Sequence, residues 1–464
     1  MNERITVTGL DDDTTDLLNG LLGQLGARLP RNLLRASYYD GKRAIRAVGT
    51  VIPPHYYRLG IVLGWSAKAV DILARRCNLD GFAWPDGDLD ALGRVELDDA
   101  NNTRAEVHSA LVESLIHGVS FLVNTEGNEA AGEVKSLIHT KTAMDATGVW
   151  NNRRRRLDNL LSVMARDGDG KPSELALYLD GETVTVARDG GAWAVVDRVV
   201  HGWGVPAEAV VYKPRAGRRF GTSRISRAVM SLHDQAVRTV IRMEGHADVY
   251  SFPEMWLLGA DEGIFKNPDG TQKAAWQVML GRIKAIPDDD DATHPRADVK
   301  QFSASSPGPH IDQLRQQAQL FAGETSVPLT SLGVSDMSNP TSADSYIASR
   351  EDLIAEAEGA VDDWTPAIRR AYVRALAIQN GEPRVPDEWR TIEPRWRSPL
   401  YLSRSAQADA GTKQLSAVDW LKDTDVGLEL LGLDGQQIRR ALSERRRGQA
   451  RATVEALIAN AEQG

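Results

Sequence analysis

Between about Val134 and Tyr212 the apolar residues of this chain leave helical spacing and begin to alternate. The stretch "ELALYLDGETVTVARDGGAWAVVDRVV" sets β-branched and aromatic residues around Asp-Gly and Gly-Gly pairs, the pattern of an antiparallel meander. On either side the period is helical. From Asp16 to Gly81 the pattern is mostly helical, with turns at "YYDGK" and "VIPPHYY". Within it, "WSAKAVDILARRCNLDGFAW" predicts an amphipathic helix ending near Asn78, with Gly81 beyond. "NNTRAEVHSALVESLIHGVSFLVN" predicts a helix, a break at Gly118 and a buried strand at Val119 to Val123. Strands gathered in one region between helical stretches make the chain α+β and mainly helical.

Beyond the basic loop "PRAGRRFGTSRISR", the residues "SRISRAVMSLHDQAVRTVIRMEGHADVY" predict one helix of about 25 residues, roughly 37 Å long, stopped by Pro253. A small mixed α/β insert follows, with turns at "NPDG" and "PDDDD"; "SSPGP" marks its exit and "HIDQLRQQAQLFAGET" is a second helix. Two helices flanking a small module make a stalk with a head. Next comes "SLGVSDMSNPTSADSYIASREDLIAEAEGAVDDW", a small-residue loop joined to an acidic helix. Ser338 or Asn339 suits the cap, and Pro340 the first turn, where a missing N–H costs nothing. Tyr346, Leu353, Ala357, Val361, Trp364 and Ile368 form a buried stripe, leaving Asp344, Glu351, Asp352, Glu356, Glu358, Asp362 and Asp363 to other faces. Pro366 must bend or restart this helix. The last section, from "YLSRSAQADAGTKQL" onward, is helical.

At 464 residues the chain is too long for one core, and two to four units are expected. No stretch approaches the roughly 20 apolar residues of a membrane helix, and the start lacks a signal-peptide core, so a cytoplasmic product with no membrane partner is expected. The single cysteine, Cys77, forbids an internal disulfide and suits a small buried apolar role. A net charge of −9 argues against a protein that grips nucleic acid over its whole surface. The charges are zoned, however. Arg153 to Arg156, the Arg215 to Arg227 group and the Arg439 to Arg451 group stand against "DDDTTD", "PDDDD" and the acidic helix.

No Walker loop, zinc spacing, nucleophile elbow or triad is present, so no catalytic residue, metal or cofactor is expected. His108 and His117 are set on different helix faces; His233 and His246 read as solvent or interface residues. "GRRFGTS" offers backbone N–H groups to a phosphate, but Ser223 capping an arginine-rich helix explains it more simply.

Six segments in one order carry a family resemblance: "YYDGK", "VDILARRCNLDGF", "HSALVESLIHGVSFLV", "RFGTSRISRAVMSLHDQAVRT", "VPLTSLG" with "NPTSADS", and "SRSAQADAGTKQL". Around a helix, insert, helix layout, the chain resembles the portal proteins of long-tailed, siphovirus-type bacteriophages over nearly its full length. The resemblance implies a portal fold. Its parts are a wing (1–222), stem helix 1 (223–250), a small α/β clip (251–309), stem helix 2 (310–327), a tunnel loop (328–340), a long kinked spine helix with wing return (341–398) and a helical crown (399–464). It also implies a closed homo-oligomeric ring of about twelve copies at one capsid vertex of the virion, assembled in the host bacterial cytoplasm. Double-stranded DNA would pass through it during packaging and ejection, and the terminase large subunit, head-tail adaptor, major capsid and scaffolding proteins would be partners. Tunnel-loop residues would be Thr330, Ser331, Gly333, Val334, Ser335, Asp336, Met337, Ser338 and Asn339. An acidic lining lets DNA slide where arginine would hold it, so some of Asp344, Glu351, Asp352 and Asp288 to Asp291, Asp288 and Asp289 among them, are expected to face the channel or its rim. Arg218, Arg219 and Arg224 are expected in salt bridges between copies. Two other readings are a helical nucleic-acid-binding regulatory protein, which requires tight salt-dependent duplex binding, and a phosphate-processing enzyme around Gly221 and Ser223.

Overall fold

The structure is a computed structural model that describes residues 4–43, 60–250, 305–334, 350–401 and 404–461, with the shorter pieces 255–258, 266–267, 269–271, 283–286 and 298–301. The chain divides into two compact units, Met1–Arg397 and Ser398–Gly464.

In the first unit, β1 (Val7–Thr8) precedes α1 (Asp12–Tyr39), which Asp11 caps by accepting from the Thr14 N–H at 2.8 Å. Then come α2 (Trp65–Ala74), β2 (Leu79–Ala83), α3 (Arg94–Asn101) and α4 (Thr103–His117). The β region follows as β3 (Val119–Glu126), β4 (Ser136–Thr142), β5 (Ala146–Asn151), β6 (Arg156–Arg166), β7 (Pro172–Tyr178), β8 (Glu182–Asp189), β9 (Ala192–Val200) and β10 (Ala207–Val211). The meander read from the sequence is present in β5 to β9, antiparallel neighbours in a six-stranded sheet of order β1-β9-β8-β7-β6-β5 whose β1 edge is parallel. Its two ends depart from it. β4 and β10 pair with either side of β3, because β3 is buried along its first six residues and needs a partner on both edges.

Alternation along β6 and β7 explains how the layers stack. Leu161, Val163, Leu175 and Leu177 point to one face and pack on Leu18, Leu21 and Leu25 of α1. Leu160, Ala176 and Tyr178 point to the other face and meet Phe121, Val123, Ala209 and Val211 of the second sheet. That sheet's reverse side, Leu122, Ile138 and Val210, joins the main core with α2 and α4. A second departure is local: α2 stops at Ala74, and the residues after it form β2, paired antiparallel to β14 (Glu393–Trp396). The strand's partner lies more than three hundred residues downstream, so no local pattern announces it.

The stalk-like pair is α5 (Arg227–Tyr250) and α6 (Gly308–Thr325), which pack along each other. Ser226 caps α5 by accepting from the Val229 N–H at 3.1 Å. Ser223 does not cap it: its hydroxyl donates to the Ile116 carbonyl at 2.5 Å and accepts from the Ile225 N–H. Of the insert between the two helices, the described strands are β11 (Met255–Leu258), β12 (Ile283–Ile286) and β13 (Asp298–Gln301), with β11 central. The acidic helix is α7 (Glu351–Asn380); it continues through Pro366 without restarting. Trp364, Ala367 and Ile368 are buried on both sides of the proline, and Thr365 Oγ1 donates to the Val361 carbonyl at 2.8 Å, so packing holds the turn that lost its amide. From Ala371 to Ile378 α7 is buried on every face, with Phe82 stacked on Tyr372 at 3.4 Å between ring centres.

The second unit contains α8 (Arg404–Ala417), α9 (Asp425–Leu430) and α10 (Gly435–Ala461); Leu415 and Ile438 are buried in it.

Candidate functional site

The end of α6 hands the chain to a short anchored turn. Ser326 adopts φ +53°, which turns the backbone out of the helix, and Val327 is buried at once. Leu329–Leu332 forms one 3-10 turn, closed by the Ser331 N–H on the Pro328 carbonyl at 2.8 Å. Leu332 enters the main core, while Leu329 and Val334 pack against its edge, and Lys68 Nζ holds the Ser331 carbonyl. Thr330, Ser331, Gly333 and Val334 are therefore a folded base rather than open loop. Ser335, Asp336, Met337, Ser338 and Asn339 lie outside the described residues, as do Asp344, Asp288, Asp289, Asp290 and Asp291. The chain returns at Arg350. Glu351 and Asp352 are exposed in the first turn of α7, and Leu353 drops into the same core that holds Leu332.

Directly beneath this base sits Arg224, expected at a contact between copies but buried in its own chain, 6% exposed. Its Nε donates to the Ala69 carbonyl of α2, its Nη2 to the Thr325 carbonyl at 2.5 Å, and its Nη1 lies 2.7 Å from Glu356 Oε2 of α7. Tyr212, just past β10, donates its hydroxyl to Glu356 Oε1 at 2.6 Å and accepts from Arg224 Nη1 at 3.1 Å. Lys213 Nζ also reaches Glu356. One guanidinium thus ties together α2, α6, α7 and the segment after β10. Glu356 correspondingly leaves the solvated acidic face on which its helical position places it. The backbone permits this because two glycines cross here. A Cβ on Gly118 would stand 3.1 Å from the Phe220 carbonyl oxygen, and one on Gly221, at φ +64°, would stand 2.3 Å from that of Tyr212.

Burial raises the Glu356 carboxyl pKa, but the Arg224 charge and hydrogen bonds from Arg224, Lys213 and Tyr212 outweigh it and hold it below the ordinary range. A depressed acid contributes stability that is complete above the ordinary value of 4.5 and lost as pH falls through the folded value. Urea midpoints measured from pH 7 to pH 3 should therefore fall more steeply for the native chain than for Glu356→Gln; parallel curves would remove Glu356 from the account. Burial raises the Tyr212 hydroxyl as well, keeping it a neutral donor.

A second buried ion group fastens α7 to the β region. Glu208 of β10, 2% exposed, lies 2.6 Å from Arg374 Nη2 and 2.8 Å from Arg370 Nε, and Arg374 Nη1 donates to Asn124 Oδ1 of β3 at 3.1 Å. None of these residues was singled out from the sequence. Arg370 and Arg374, one helical turn apart on the face that also carries the buried Ala367, Ala371 and Ile378, were the available signal.

Arg218 and Arg219 are exposed in the loop after β10, with Arg219 Nε donating to Asn152 Oδ1 at 3.1 Å. His233 is buried at 4% exposure, against the solvent or interface position expected for it, and its Nδ1 shares a hydrogen bond with Ser66 Oγ at 3.0 Å. Cys77 is buried and its thiol pushed up to about 12 by that burial, consistent with an inert apolar role. Among the described residues no group of three His, Cys, Asp or Glu side chains is placed to hold a metal, and no helix is long and apolar enough to cross a membrane.

The model of the family described as "Phage portal protein, SPP1 Gp6-like" matches residues 21–449. The portal protein of Mycobacterium phage L5 is 28% identical over 390 residues, 81% of this chain and 77% of that protein. The portal protein of Mycobacterium phage D29 is 27% identical over 391 residues, again 81% and 77% of the two chains. Among solved structures, a chain from the "Neck of native GTA particle computed with C12 symmetry" covers 86% of this chain with 15% identity and a TM-score of 0.39. One from the "Virion of native gene transfer agent (GTA) particle" covers 87% with 15% identity and a TM-score of 0.38.

Proposed function

Because the chain belongs to the SPP1 Gp6-like phage portal proteins, a structural family, we propose that copies of it close into a ring of about twelve at one vertex of the capsid and surround the path of double-stranded DNA. The parts of that ring are assigned by layout. The wing is 1–222, the stem is α5 with α6, and the clip is the insert between them. The tunnel loop is 328–340 with 329–334 as its folded base, the spine is α7, and the crown is 399–464. The observation that carries the reading is the joint anchoring of Leu332 and Leu353 in one core, on the helix pair and on α7. A segment whose two ends are fixed on rigid helices can project toward a passing duplex without disturbing the subunit.

Electrostatics supports an unheld passage. Duplex DNA carries about one negative charge per 1.7 Å, and lysine or arginine on its phosphates adds affinity by counterion release. The exposed Glu351 and Asp352 beside the loop base, with Asp344, Asp288 and Asp289, instead repel the backbone and leave it hydrated. Arg218 and Arg219, both exposed, remain candidates for the contact between copies; Arg224 does not. In this reading the ring docks the terminase large subunit during packaging and a head-tail adaptor afterwards, while capsid and scaffolding proteins hold its rim.

Negative-stain microscopy of the purified full chain, alone and co-expressed with scaffolding protein, tests the ring. Closed rings with a hole roughly 20 to 40 Å wide are expected, room for a duplex whose major groove alone spans about 12 Å. Monomers or open filaments under both conditions would refute it.

A further inference from the structure

Five arginines line a cavity of about 240 Å³ between α1 and the loop 217–221. Arg28, Arg31 and Arg35 come from successive turns of α1, and Arg218 and Arg219 from the loop. In a chain of net charge −9, none of the five is ion-paired to a carboxylate among the described residues. Arg28 spends itself on Thr147 Oγ1 at 3.1 Å and on the Phe220 ring, and Arg35 Nη1 on the His117 carbonyl at 2.7 Å. The consequence is visible at Arg35, whose pKa is brought down to about 10 by burial and then by repulsion from Arg31 and Arg218.

Three residues lining this cavity also keep buried polar atoms without a hydrogen-bond partner: Arg35 Nε, His117 Nδ1 and Asn32 Oδ1. His117 is 4% exposed and Asn32 is 2% exposed. Buried polar atoms are costly unless satisfied, so these orphans describe what the cavity lacks. The asparagine is the informative one. Its Nδ2 donates to the Ala143 carbonyl at 2.8 Å, which fixes the amide and leaves Oδ1 as an acceptor. An anion answers the guanidiniums, and one that also carries a hydrogen-bond donor answers Asn32 Oδ1 as well.

We propose that this cavity binds an inorganic phosphate-type oxyanion, phosphate or pyrophosphate, that retains a P–OH group. Its charged oxygens meet the arginine donors, which suit phosphate geometry, and its hydroxyl donates to Asn32 Oδ1. Sulfate carries no such proton at neutral pH, and neither a DNA phosphodiester nor a carboxylate side chain can supply one, so all three leave the acceptor unpaired. A cavity of about 240 Å³ admits one or two phosphoryl groups. A bound anion ties α1 to the loop after β10 across the Gly118–Gly221 crossing and so steadies the wing beneath Arg224.

The test is calorimetric titration of the purified full chain with inorganic phosphate, pyrophosphate, sulfate, glutamate and a short DNA duplex, all at one ionic strength near pH 7.5. Phosphate or pyrophosphate should bind at least tenfold tighter than sulfate or glutamate. The double variant Arg31→Gln with Arg218→Gln should weaken that binding tenfold or more, with an unliganded circular-dichroism spectrum matching the parent's because neither side chain has a described intrachain partner. Equal binding of sulfate would mean an adventitious ion only and overturn the proposal. So would preference for the duplex, unchanged affinity in the double variant, or no measurable binding of either phosphate.

Discussion

Arg224→Met is expected to lower the unfolding free energy by about 3 to 5 kcal/mol, the loss seen when one member of a buried ion pair is removed. Methionine retains much of the arginine stem, so the cost is electrostatic rather than a cavity. The Glu356 carboxylate keeps Lys213 and Tyr212 but loses its buried cation, and the Ala69 and Thr325 carbonyls lose their donor. Urea denaturation gives the magnitude. A double-mutant cycle with Glu356→Gln gives the mechanism, since contacting residues couple by about 0.5 to 3 kcal/mol: the double variant should lose less than the two single losses together. A loss under about 1 kcal/mol, or strict additivity, would show that Arg224 does not hold the junction. Because the junction underlies the base at Leu329–Leu332, the same variant should expose that segment to limited proteolysis before the sheets open.

Glu208→Gln should have a comparable effect, about 3 to 5 kcal/mol, for a different reason. Glutamine keeps the shape and can accept one hydrogen bond, but the Arg374 guanidinium stays buried at 5% exposure with only Asn124 and no negative charge. Arg370 is half-buried and recovers water, so Arg374 bears the loss. Adding Arg374→Met to Glu208→Gln should restore much of the stability, because an apolar replacement of a whole buried ion group is often neutral or favourable. If the double variant proves less stable than Glu208→Gln alone, the buried charge is not the source of the penalty. Together the two ion groups fix α7 at both halves: Glu356, through Arg224, joins its first turns to α2, to the end of α6 and to the segment after β10, and Arg370 with Arg374 bind its later turns to β3 and β10.

The parts legible in the sequence were those with a local cause. The Asp-Gly and Gly-Gly turns and alternating residues of Glu174 to Val200 are enough to write three successive strands. Gly118, at φ +98°, ends α4 where its position after His117 says it should. Leu353, Ala357, Trp364 and Ile368 are buried as their spacing requires. Where the sequence reading missed, the deciding partner was distant. The helix over 65–78 stops early at Ala74, and the strand β2 that follows it has no signal in the sequence because its partner β14 is supplied only by folding. β4 and β10 left the meander because β3 needed them. Ser223 resembles a cap on spacing alone, yet its hydroxyl meets the end of α4, and Ser226 three residues on does the capping.

The candidate site divides in the same way. Composition and pattern alone determined that this is an α+β chain with one cysteine, a stalk-like helix pair around an insert, and a small-residue loop running into an acidic helix. Tertiary structure alone decided which charges are free and which are spent. Periodicity treats Arg224 and Glu356 as surface residues, and nothing local marks Arg28, Arg31 and Arg35 as neighbours of Arg218 and Arg219. Turns, caps and apolar stripes arise from forces between residues a few positions apart and are written in order along the chain. A buried ion pair or an arginine-lined cavity arises only when segments a hundred or more residues apart exclude water from the same point, and linear order carries no record of that.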